Sequence, residues 1–507
     1  MTFVGSLIKN TTRASYQYKS NRNEPHPEQR KVLETLLQKG RKTSFGKIYN
    51  FSRILENERV FESFSERIPI YTYERLYKEF LKYQLSGSKK VVWSGETNYY
   101  ALTSGTTEGG SKRVPVSDSM IKQFQKTTLQ QLIALHELNL PPTFFKSSVL
   151  TIGGSTKLTK IKNYWEGDLS GILQKNKSLI YRLFTKPGNT ISSIKNWDEK
   201  LAAIVKDAKK WDVGVLAGSP VWVNRVLEEI VNEYQLNSIH DIWPNLKFFL
   251  HGGVFLSTYE SSINKLCKQP LIYLDTYLTS EGYFAYQKHP EEDGMHLLTN
   301  HGIYYEFVEE KYFDLLLSDK QLHQVPTITL GEVSMNKKYA LIISISSGLW
   351  RYCIGDIITF TSLEPHLLKI LGRVKHTLNI VGEHVSMDNM NSALQKTNKV
   401  FSIQTEEYCV VPSKDNSYHH WYIGSNQTVA DTERYASILD LNLEELNDDY
   451  KSQRKYNIAK PKVTFLPLQK FYEFMEKDGK TGGQHKFPRV LNQKQAYDWE
   501  AFLSRFD

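Results

Sequence analysis

The sequence predicts an α/β protein with a large N-terminal domain of layered sheets and helices, part of it β-rich, and a smaller, mobile α+β C-terminal domain. Strand-like and helix-like segments alternate through the middle of the chain, which is typical of α/β layers. The chain has 507 residues, which is too long for one ordinary core. We place the domains at 1–375 and 376–507, with a hinge at about 372–382.

The first third of the chain predicts helices around a pair of strands. The apolar side chains of the first helix recur at helical spacing and stop at Gly40. Ser117 offers an N-cap to a later helix. In chain order, we expect helices at 26–40, 72–83 and 118–136, two strands within 99–116, and a strand at 148–154.

The rest of the chain alternates strands and helices, becomes β-rich over 294–362, and rebuilds smaller elements beyond the hinge. Pro220 follows Ser219, which is typical of a helix start. Before the β-rich part we expect helices at 198–210, 220–234 and 258–268 and strands at 213–217, 246–253 and 271–277. After the hinge we expect helices at 387–396 and 431–453, a hairpin across 405–424 and a strand at 462–467.

Composition excludes several classes of protein. Hydrophobic residues make up 40% and charged residues 23%, as in globular proteins. The net charge of +9 is small for this length and no dense basic tract occurs, so we expect no nucleic-acid partner. We expect no membrane span either, since no run of about 18 apolar residues occurs. Cys267, Cys353 and Cys409 are widely spaced, so we expect a reducing, cytoplasmic location.

The most informative segment is Thr103–Lys112, a loop of small and hydroxylated residues closed by a cation. Backbone N–H groups and hydroxyls in such a loop suit a polyphosphate, with Lys112 or Arg113 supplying charge. Gly105 and Gly110 have the spacing of a phosphate-binding loop, but a strand and not a helix follows. The alternative is a plain hairpin turn.

A second motif, Asp275–Gly282, follows an apolar strand, and ligands bind at strand ends in α/β sheets. Tyr277 can stack on a flat base. Glu281 is an oxygen ligand suited to Mg²⁺, which usually takes one or two carboxylates plus substrate phosphates. The alternative is a helix N-terminus capped by Ser280.

Two weaker motifs complete the set. Tyr352–Asp356 lies between strands, and its terminal carboxylate can accept hydrogen bonds from both ribose hydroxyls; the alternative is a Gly-Asp turn. Gly483–Arg489 places a lysine on a Gly-rich loop, where it can reach a developing charge; the alternative is a surface lysine. His251-Gly-Gly can bring backbone close to a flat ligand, and His419–His420 is expected to face solvent in a hairpin.

In this order, these motifs resemble the adenylate-forming enzymes, and more closely the Gretchen Hagen family of acyl-acid amido synthetases, including its bacterial members. The carrying residues are Thr103–Lys112, Tyr277–Glu281, Tyr352–Asp356 and Gly483–Lys486, with Gly5–Ile8 and Thr43–Gly46 similar to the N-terminal region. The resemblance implies an active site between two domains. It also implies an ATP-dependent reaction with Mg²⁺, in which a carboxylic acid becomes an acyl-adenylate and an amine, commonly an amino acid, then forms an amide.

The resemblance assigns a role to each matching position. It implies that Ser104, Gly105, Thr106 and Thr107 bind the phosphates, and that Tyr277 lies against adenine with the backbone of Gly252 and Gly253 nearby. Thr279 and Ser280 would also contact the nucleotide, Glu281 would bind Mg²⁺, and Asp356 would bind the ribose, with Arg373 near the hinge. Lys486 would contact both the reacting carboxylate and the α-phosphate. Residues that bind the acid are expected within 120–135 and 216–225.

The chain departs from the plant enzymes at two places. Cys353 stands where they typically carry Arg, and the segment 372–391 looks more like that of general acyl ligases. An acyl-CoA ligase that uses a thiol nucleophile is therefore the close alternative. An ADP-forming phosphotransferase and a basic binding protein are the competing classes. The sequence identifies neither the acid nor the amine, and it predicts no oligomeric state.

Overall fold

The computed structural model describes most of the chain. The described residues are 25–107, 110–138, 140–177, 179–253, 256, 259–317, 321–374, 385, 387–413, 417–427, 429–456, 458–477, 487–491 and 493–505. Within these ranges the backbone of 104–107 and 110–111 is described, but their side chains are not.

Between residues 272 and 373 the strands follow one another with few helices between them, whereas helices separate most strands before and after that stretch. In chain order they are β1 (Tyr99–Thr107), β2 (Gly110–Val116), β3 (Ser148–Thr151), β4 (Thr159–Ile161), β5 (Tyr164–Gly167), β6 (Thr185–Lys186), β7 (Val213–Gly218), β8 (Phe248–His251), β9 (Ile272–Leu278), β10 (Tyr283–Tyr286), β11 (Met295–Leu297), β12 (Ile303–Glu309), β13 (Lys338–Ile345), β14 (Tyr352–Leu363), β15 (His366–Arg373), β16 (Glu407–Pro412), β17 (His419–Gly424) and β18 (Lys462–Leu466).

The helices are mostly short. They are α1 (Pro25–Gly40), α2 (Ser44–Ile48), α3 (Phe51–Leu55), α4 (Val60–Arg67), α5 (Tyr73–Leu76), α6 (Lys82–Leu85), α7 (Asp118–Ala134), α8 (Leu169–Lys175), α9 (Leu179–Leu183), α10 (Asn189–Ser192), α11 (Trp197–Asp207), α12 (Pro220–Glu233), α13 (Glu260–Lys265), α14 (Phe313–Leu316), α15 (Met387–Phe401), α16 (Thr432–Leu446), α17 (Asp448–Tyr456), α18 (Leu468–Lys477) and α19 (Gln493–Leu503). A π-helical turn, Tyr77–Leu81, joins α5 to α6. No helix in the described ranges is long and apolar enough to cross a bilayer.

The described residues form three sheets. The largest has the order β12-β13-β14-β15-β11-β10-β9-β8-β7-β3-β6, and the smaller ones are β2-β1-β5-β4 and β16-β17-β18. In the large sheet, β6, β3, β7, β8 and β9 run parallel, whereas β9 to β11 and β12 to β14 are antiparallel. The alternating half of the sequence therefore folds as the parallel half of the sheet, as βαβ connections require.

The carboxyl ends of the parallel strands meet at one edge of the large sheet. β3, β7 and β8 pair in register up to their last residues, so that Thr151 lies beside Ala217 and Gly218 beside His251. His251 in turn lies beside Asp275 of β9. Ligands of open α/β sheets bind outside such an edge, and the segments that leave it here include Gly252–Gly253 and Thr279–Gly282.

The chain forms two compact units, each with its own core. The first comprises the described residues of 1–254 and 263–370, and the second those of 255–262 and 371–507. In the first unit, α1 and α7 pack with the antiparallel strands around buried aromatic residues such as Tyr305 and Trp350. The second unit packs helices against β16–β18 around residues such as Trp421 and Trp499.

The second unit is discontinuous in sequence, because the segment 255–262 belongs to it although it follows β8. Tyr259 is fully buried, and its hydroxyl donates a hydrogen bond of 2.8 Å to Oε1 of Glu407. Glu407 also forms a buried ion pair with Arg489, whose guanidinium lies over the ring of Tyr408. A side chain from the middle of the sequence thus completes a charged cluster in the core of this unit.

The structure confirms most predicted elements and corrects three. The helix predicted at 431–453 is broken at Asn447 into α16 and α17. The helix predicted at 72–83 contains the π-helical turn. His419, expected to face solvent, is buried because β17 is the central strand of its sheet. The domain limits and hinge stay a prediction.

Candidate active site

The site is built at the carboxyl edge of the parallel strands, beginning with the His-Gly-Gly turn after β8. The hydroxyl of Thr276 donates a hydrogen bond of 2.8 Å to the carbonyl of His251. A Cβ atom at Gly252 would overlap the carbonyl oxygen of Thr276, so only glycine allows this close approach. The Gly252–Gly253 backbone therefore lies against β9, one residue before Tyr277.

Tyr277 and Asp356, which are 79 residues apart, meet at this edge. The Tyr277 hydroxyl donates a hydrogen bond of 2.7 Å to Oδ2 of Asp356. Both side chains are buried, at 2% and 4% exposure, and the Tyr277 ring packs edge-on against Phe284 with 4.9 Å between centroids. Two residues that the sequence assigned to one nucleotide are thus in direct contact.

A β-bulge in β14 carries Asp356. Ile357 pairs with Ala340 and Cys353 with Ile342, so three residues of β14 lie opposite the single residue between them on β13. Gly355 has φ +85°, a conformation that other L-residues rarely adopt. The sequence predicted that Tyr352–Asp356 would lie between strands, but this segment lies within one continuous strand. Bulges often redirect a side chain beside an active site, and this one coincides with the predicted ribose ligand.

Arg351 fixes the start of the same strand. Its guanidinium forms a buried ion pair with Glu306 (Nη2 to Oε1, 2.9 Å) and donates to the carbonyl of Ser65 at 2.7 Å. Its backbone carbonyl accepts a hydrogen bond of 2.9 Å from the Tyr71 N–H. These contacts hold β14 against the segment that precedes α5, and sequence reasoning did not identify them.

Glu281 lies in a tight turn between β9 and β10. The Thr279 N–H donates to the carbonyl of Gly282 at 2.9 Å, and the Glu281 N–H donates to Oγ1 of Thr279 at 3.2 Å. The alternative reading, a helix capped by Ser280, is wrong because β10 begins at Tyr283. Glu281 is half-buried at the carboxyl edge.

The charge of Glu281 reaches the start of β14. Burial raises the pKa of Tyr352, and the negative charge of Glu281 raises it further. Glu74 and Tyr73 contribute in the same direction. The turn after β9, the start of β14 and helix α5 therefore lie within electrostatic reach of one another.

The phosphate-loop candidate is an antiparallel hairpin. Thr103 pairs with Lys112 and Thr107 with Gly110 across β1 and β2. Of Ser104, Gly105, Thr106 and Thr107, only the backbone is described. The hairpin is joined to α5, because the Arg113 N–H donates to the Tyr73 hydroxyl at 2.7 Å.

Both cations of this hairpin contact carboxylates. Lys112 Nζ lies 3.2 Å from Oε1 of Glu74 and over the ring of Tyr73. Arg113 Nε lies 2.7 Å from Oε2 of Glu166 on β5. Glu74 thus links the hairpin to the surroundings of Tyr352, and no feature of the sequence singled it out.

Three of the four sequence motifs therefore approach one another inside the first unit: the hairpin, the Tyr277–Glu281 segment and the Tyr352–Asp356 segment. Residues 483–486 of the fourth motif, including Lys486, lie outside the described residues, and its last residue, Arg489, belongs to the second unit. Arg373 ends β15, is exposed and belongs to the second unit. The roles of Lys486 and Arg373 stay predictions.

The donor set fits a magnesium ion carried by the nucleotide. In the described part of the chain, no group of three or more His, Cys, Asp or Glu side chains could hold a metal by itself. Mg²⁺ usually needs only one or two carboxylates when phosphates supply the other oxygens. Glu281, a half-buried carboxylate in the turn that follows β9, can supply one such ligand.

An edge of parallel strands continued by an antiparallel sheet thus carries the residues that the sequence predicts to bind a nucleotide. Three models of the GH3 family match the chain: the N-terminal domain over 15–201, the central domain over 296–373 and the C-terminal domain over 388–495. Since these matches cover well over half of the sequence, the chain belongs to the GH3 family.

Curated relatives agree with this membership, and solved structures share the fold. An indole-3-acetic acid-amido synthetase, GH3.2 of Arabidopsis thaliana, is 20% identical over 75% of this chain and 80% of its own length. The structure of the GH3.15 acyl acid amido synthetase matches with a TM-score of 0.77 and 15% identity, over 97% of this chain and 96% of that chain. A 2-hydroxyisobutyryl-CoA ligase with a bound acyl-AMP matches with a TM-score of 0.61 and 12% identity, over 94% of this chain and 90% of that chain.

Proposed function

We propose that this protein is an ATP-dependent acyl-acid amido synthetase. It converts a carboxylic acid to an acyl-adenylate with release of pyrophosphate, and then transfers the acyl group to an amine, an amino acid in our proposal. The observation that carries this proposal is the buried hydrogen bond between Tyr277 and Asp356 beside the Glu281 turn. Family membership supports it, and the three free cysteines fit a cytoplasmic location.

The proposed nucleotide site uses groups from several elements. The β1–β2 hairpin holds the phosphates, the Gly252–Gly253 backbone and Tyr277 border the base, and Asp356 accepts hydrogen bonds from the ribose. Asp356 already accepts one hydrogen bond from Tyr277, which orients its carboxylate and leaves further lone pairs for hydroxyl groups.

In the first step, a carboxylate oxygen attacks the α-phosphorus of ATP and the bond to pyrophosphate breaks. Two anions must approach, so cationic stabilisation is required. Mg²⁺ bound by the Glu281 carboxylate would supply part of this positive charge. Lys486 supplies the rest by donating hydrogen bonds to the carboxylate and the α-phosphate.

In the second step, the amine nitrogen attacks the acyl carbon, AMP leaves and the nitrogen loses a proton. The fold similarity to a CoA ligase keeps a thiol nucleophile as the second candidate, because both reactions share the first step. The two reactions differ in the nucleophile and therefore in the final product, an amide or a thioester.

The test is ATP–pyrophosphate exchange with a panel of carboxylic acids, followed by mass spectrometry of the products formed with amino acids or with CoA. We expect exchange that depends on the acid, AMP as the nucleotide product, and an amide. ADP as product would indicate a phosphotransferase, and a thioester would indicate the CoA ligase. Absence of exchange with every acid would overturn adenylation.

A further inference from the structure

Helix α5 lies against the outer edge of the β1–β2 hairpin. Among the described strands, β2 ends the sheet β2-β1-β5-β4, so alternate backbone N–H and C=O groups of β2 point away from β1. The hydroxyl of Tyr73 on α5 accepts a hydrogen bond of 2.7 Å from the Arg113 N–H and donates a weaker one of 3.5 Å to the Arg113 carbonyl. One hydroxyl thus bonds both backbone groups that a neighbouring strand would otherwise pair.

Burial holds this hydroxyl in place and keeps it protonated. Tyr73 is 9% exposed, and its ring stacks on that of Tyr77 with 6.0 Å between centroids. Burial raises the pKa of Tyr73, although the hydrogen bond from Arg113 acts in the opposite direction. The hydroxyl is therefore protonated at neutral pH, and it can donate and accept at the same time.

The adjacent residue of α5 contacts the adjacent residue of β2. Oε1 of Glu74 lies 3.2 Å from Nζ of Lys112, and the same ammonium lies over the Tyr73 ring, 5.1 Å from its centroid. The Lys112 side chain is only 21% exposed. Helix α5 therefore holds two consecutive residues of β2, one by its backbone and one by its side chain.

These contacts lie where the regular pairing of the hairpin ends. As far as Thr103 and Lys112 the two strands pair residue by residue, and the register then shifts before Thr107 pairs with Gly110. The residues beyond the last regular pair form the loop that we assign to the phosphates. The contacts from α5 are thus made at the base of that loop, where a fixed contact has most effect on its position.

Helix α5 is anchored in turn to the strand that carries Asp356. The Tyr71 N–H donates to the carbonyl of Arg351, and the Tyr71 carbonyl accepts from the Cys353 N–H, each at 2.9 Å. Tyr71 precedes the first residue of α5 by two positions. The segment Tyr71–Glu74 therefore links β14, with the proposed ribose ligand, to the hairpin that we assign to the phosphates.

We propose that Tyr73 is a positioning residue of the nucleotide site, which fixes the base of the phosphate loop relative to β14 and so aligns the triphosphate with the ribose. The inference rests on the proposed function and deepens it. A loop that is already in its binding position costs less to order when the ligand arrives. The effect of Tyr73 is therefore largest for ATP and small for AMP, which lacks the β- and γ-phosphates.

The experiment measures the Kd of ATP with magnesium, and the Kd of AMP, by calorimetry for wild type and for Tyr73→Phe. Phenylalanine keeps the ring and its packing and removes only the hydroxyl. We expect the Kd of ATP to rise roughly fivefold or more and that of AMP by less than about twofold, as the loss of one hydrogen bond implies. In ATP–pyrophosphate exchange, the KM values of ATP and pyrophosphate should rise while that of the acid stays the same.

Tyr77→Phe is the matched control, because Tyr77 stacks on Tyr73 but is 42% exposed. It should leave both Kd values unchanged. A smaller rise in the Kd of ATP in Tyr73→Phe, or equal rises for ATP and AMP, would overturn the positioning role alone. Absence of ATP binding by the wild-type protein would instead overturn the proposed function, and the inference with it.

Discussion

At the scale of single residues, the contact between Tyr277 and Asp356 links two motifs that the sequence could only list separately. The residue types predicted both motifs as nucleotide-binding, because an aromatic ring and a carboxylate suit a nucleoside. Their hydrogen bond could not be predicted, since it depends on how the sheet brings β9 and β14 together. Arg351 and Glu74 were missed because isolated charged residues carry no signal of burial or pairing.

Asp356→Asn should weaken ATP binding. The amide keeps the size of the side chain but loses the charge, and hydrogen bonds to charged groups are worth about 1.5–3 kcal/mol. We expect the KM for ATP in pyrophosphate exchange to rise roughly tenfold or more, with the KM for the acid little changed. An unchanged KM for ATP would contradict the ribose assignment.

Glu281→Gln should raise the concentration of Mg²⁺ needed for half-maximal exchange, because an amide oxygen is a weaker ligand than a carboxylate. The measurement is a magnesium titration at fixed ATP. Glu310→Gln is the control, since Glu310 is exposed and contacts Lys338. Identical titrations for Glu281→Gln and wild type would contradict the assignment of Glu281 as a magnesium ligand.

At the scale of elements, the hairpin β1–β2 and the bulge of β14 define the site more than any helix does. The sequence predicted the hairpin, because apolar residues flank a run of small residues. It did not predict the bulge, since Gly-Asp is also a common turn pair. It also missed β15, α18 and α19, and it read α16 and α17 as one helix because apolar spacing continues past Asn447.

Gly355→Val tests the bulge. A valine at φ +85° is strained by about 1–2 kcal/mol or more, and relief of that strain would turn Asp356 away from Tyr277. We expect kcat/KM for exchange to fall at least 100-fold while circular dichroism stays native. Gly188→Ala is the control, because no atom lies within 4 Å of its added Cβ. Equal activities in the two variants would contradict the role of the bulge.

The strand β17 should make stability depend on pH through His420. Burial, and then the charge of Lys462, lowers the pKa of His420 to about 4. Its neutral ring stacks on Tyr422 with 4.2 Å between centroids and contacts the Thr464 hydroxyl. Since the pKa in the unfolded chain is about 6.5, this contribution is complete above pH 6.5 and is lost as the pH falls towards 4.

Urea denaturation at pH 7 and pH 5 measures this effect. Wild type should lose about 2 kcal/mol of unfolding free energy from this group, and His420→Gln should lose correspondingly less. His323→Gln, at an exposed histidine, should behave as wild type does. A pH dependence unchanged in His420→Gln would show that the pKa of His420 does not differ between the folded and unfolded chain, and would contradict this prediction.

At the scale of the whole molecule, the sequence predicted the fold class well, because the order of motifs is a property of the entire chain. The large sheet combines a parallel half, which βαβ patterns predict, with an antiparallel half that begins at the turn carrying Glu281. The strand order of this sheet could not be derived, because it depends on contacts between distant segments.

Lys486→Ala tests whether the molecule adenylates its acid as proposed. We expect loss of at least 100-fold in exchange, since a positioned donor is typically worth roughly 10²–10³ in rate. Thermal stability and ATP binding by calorimetry should stay close to wild type. Lys460→Ala, which removes a half-buried lysine that pairs with Glu433, is the control. Exchange at the wild-type rate would show that adenylation does not require Lys486, and would contradict its proposed role.

The buried contact of Tyr259 with Glu407 has a consequence for anyone who dissects this protein. A fragment that starts at residue 371 would lack the tyrosine, and it would expose the carboxylate and Arg489 to water. The C-terminal half of a gene cut there would not encode a complete folding unit. Expression of the C-terminal piece alone should therefore give an unstable product. Addition of a synthetic peptide spanning 255–262 should restore part of its stability.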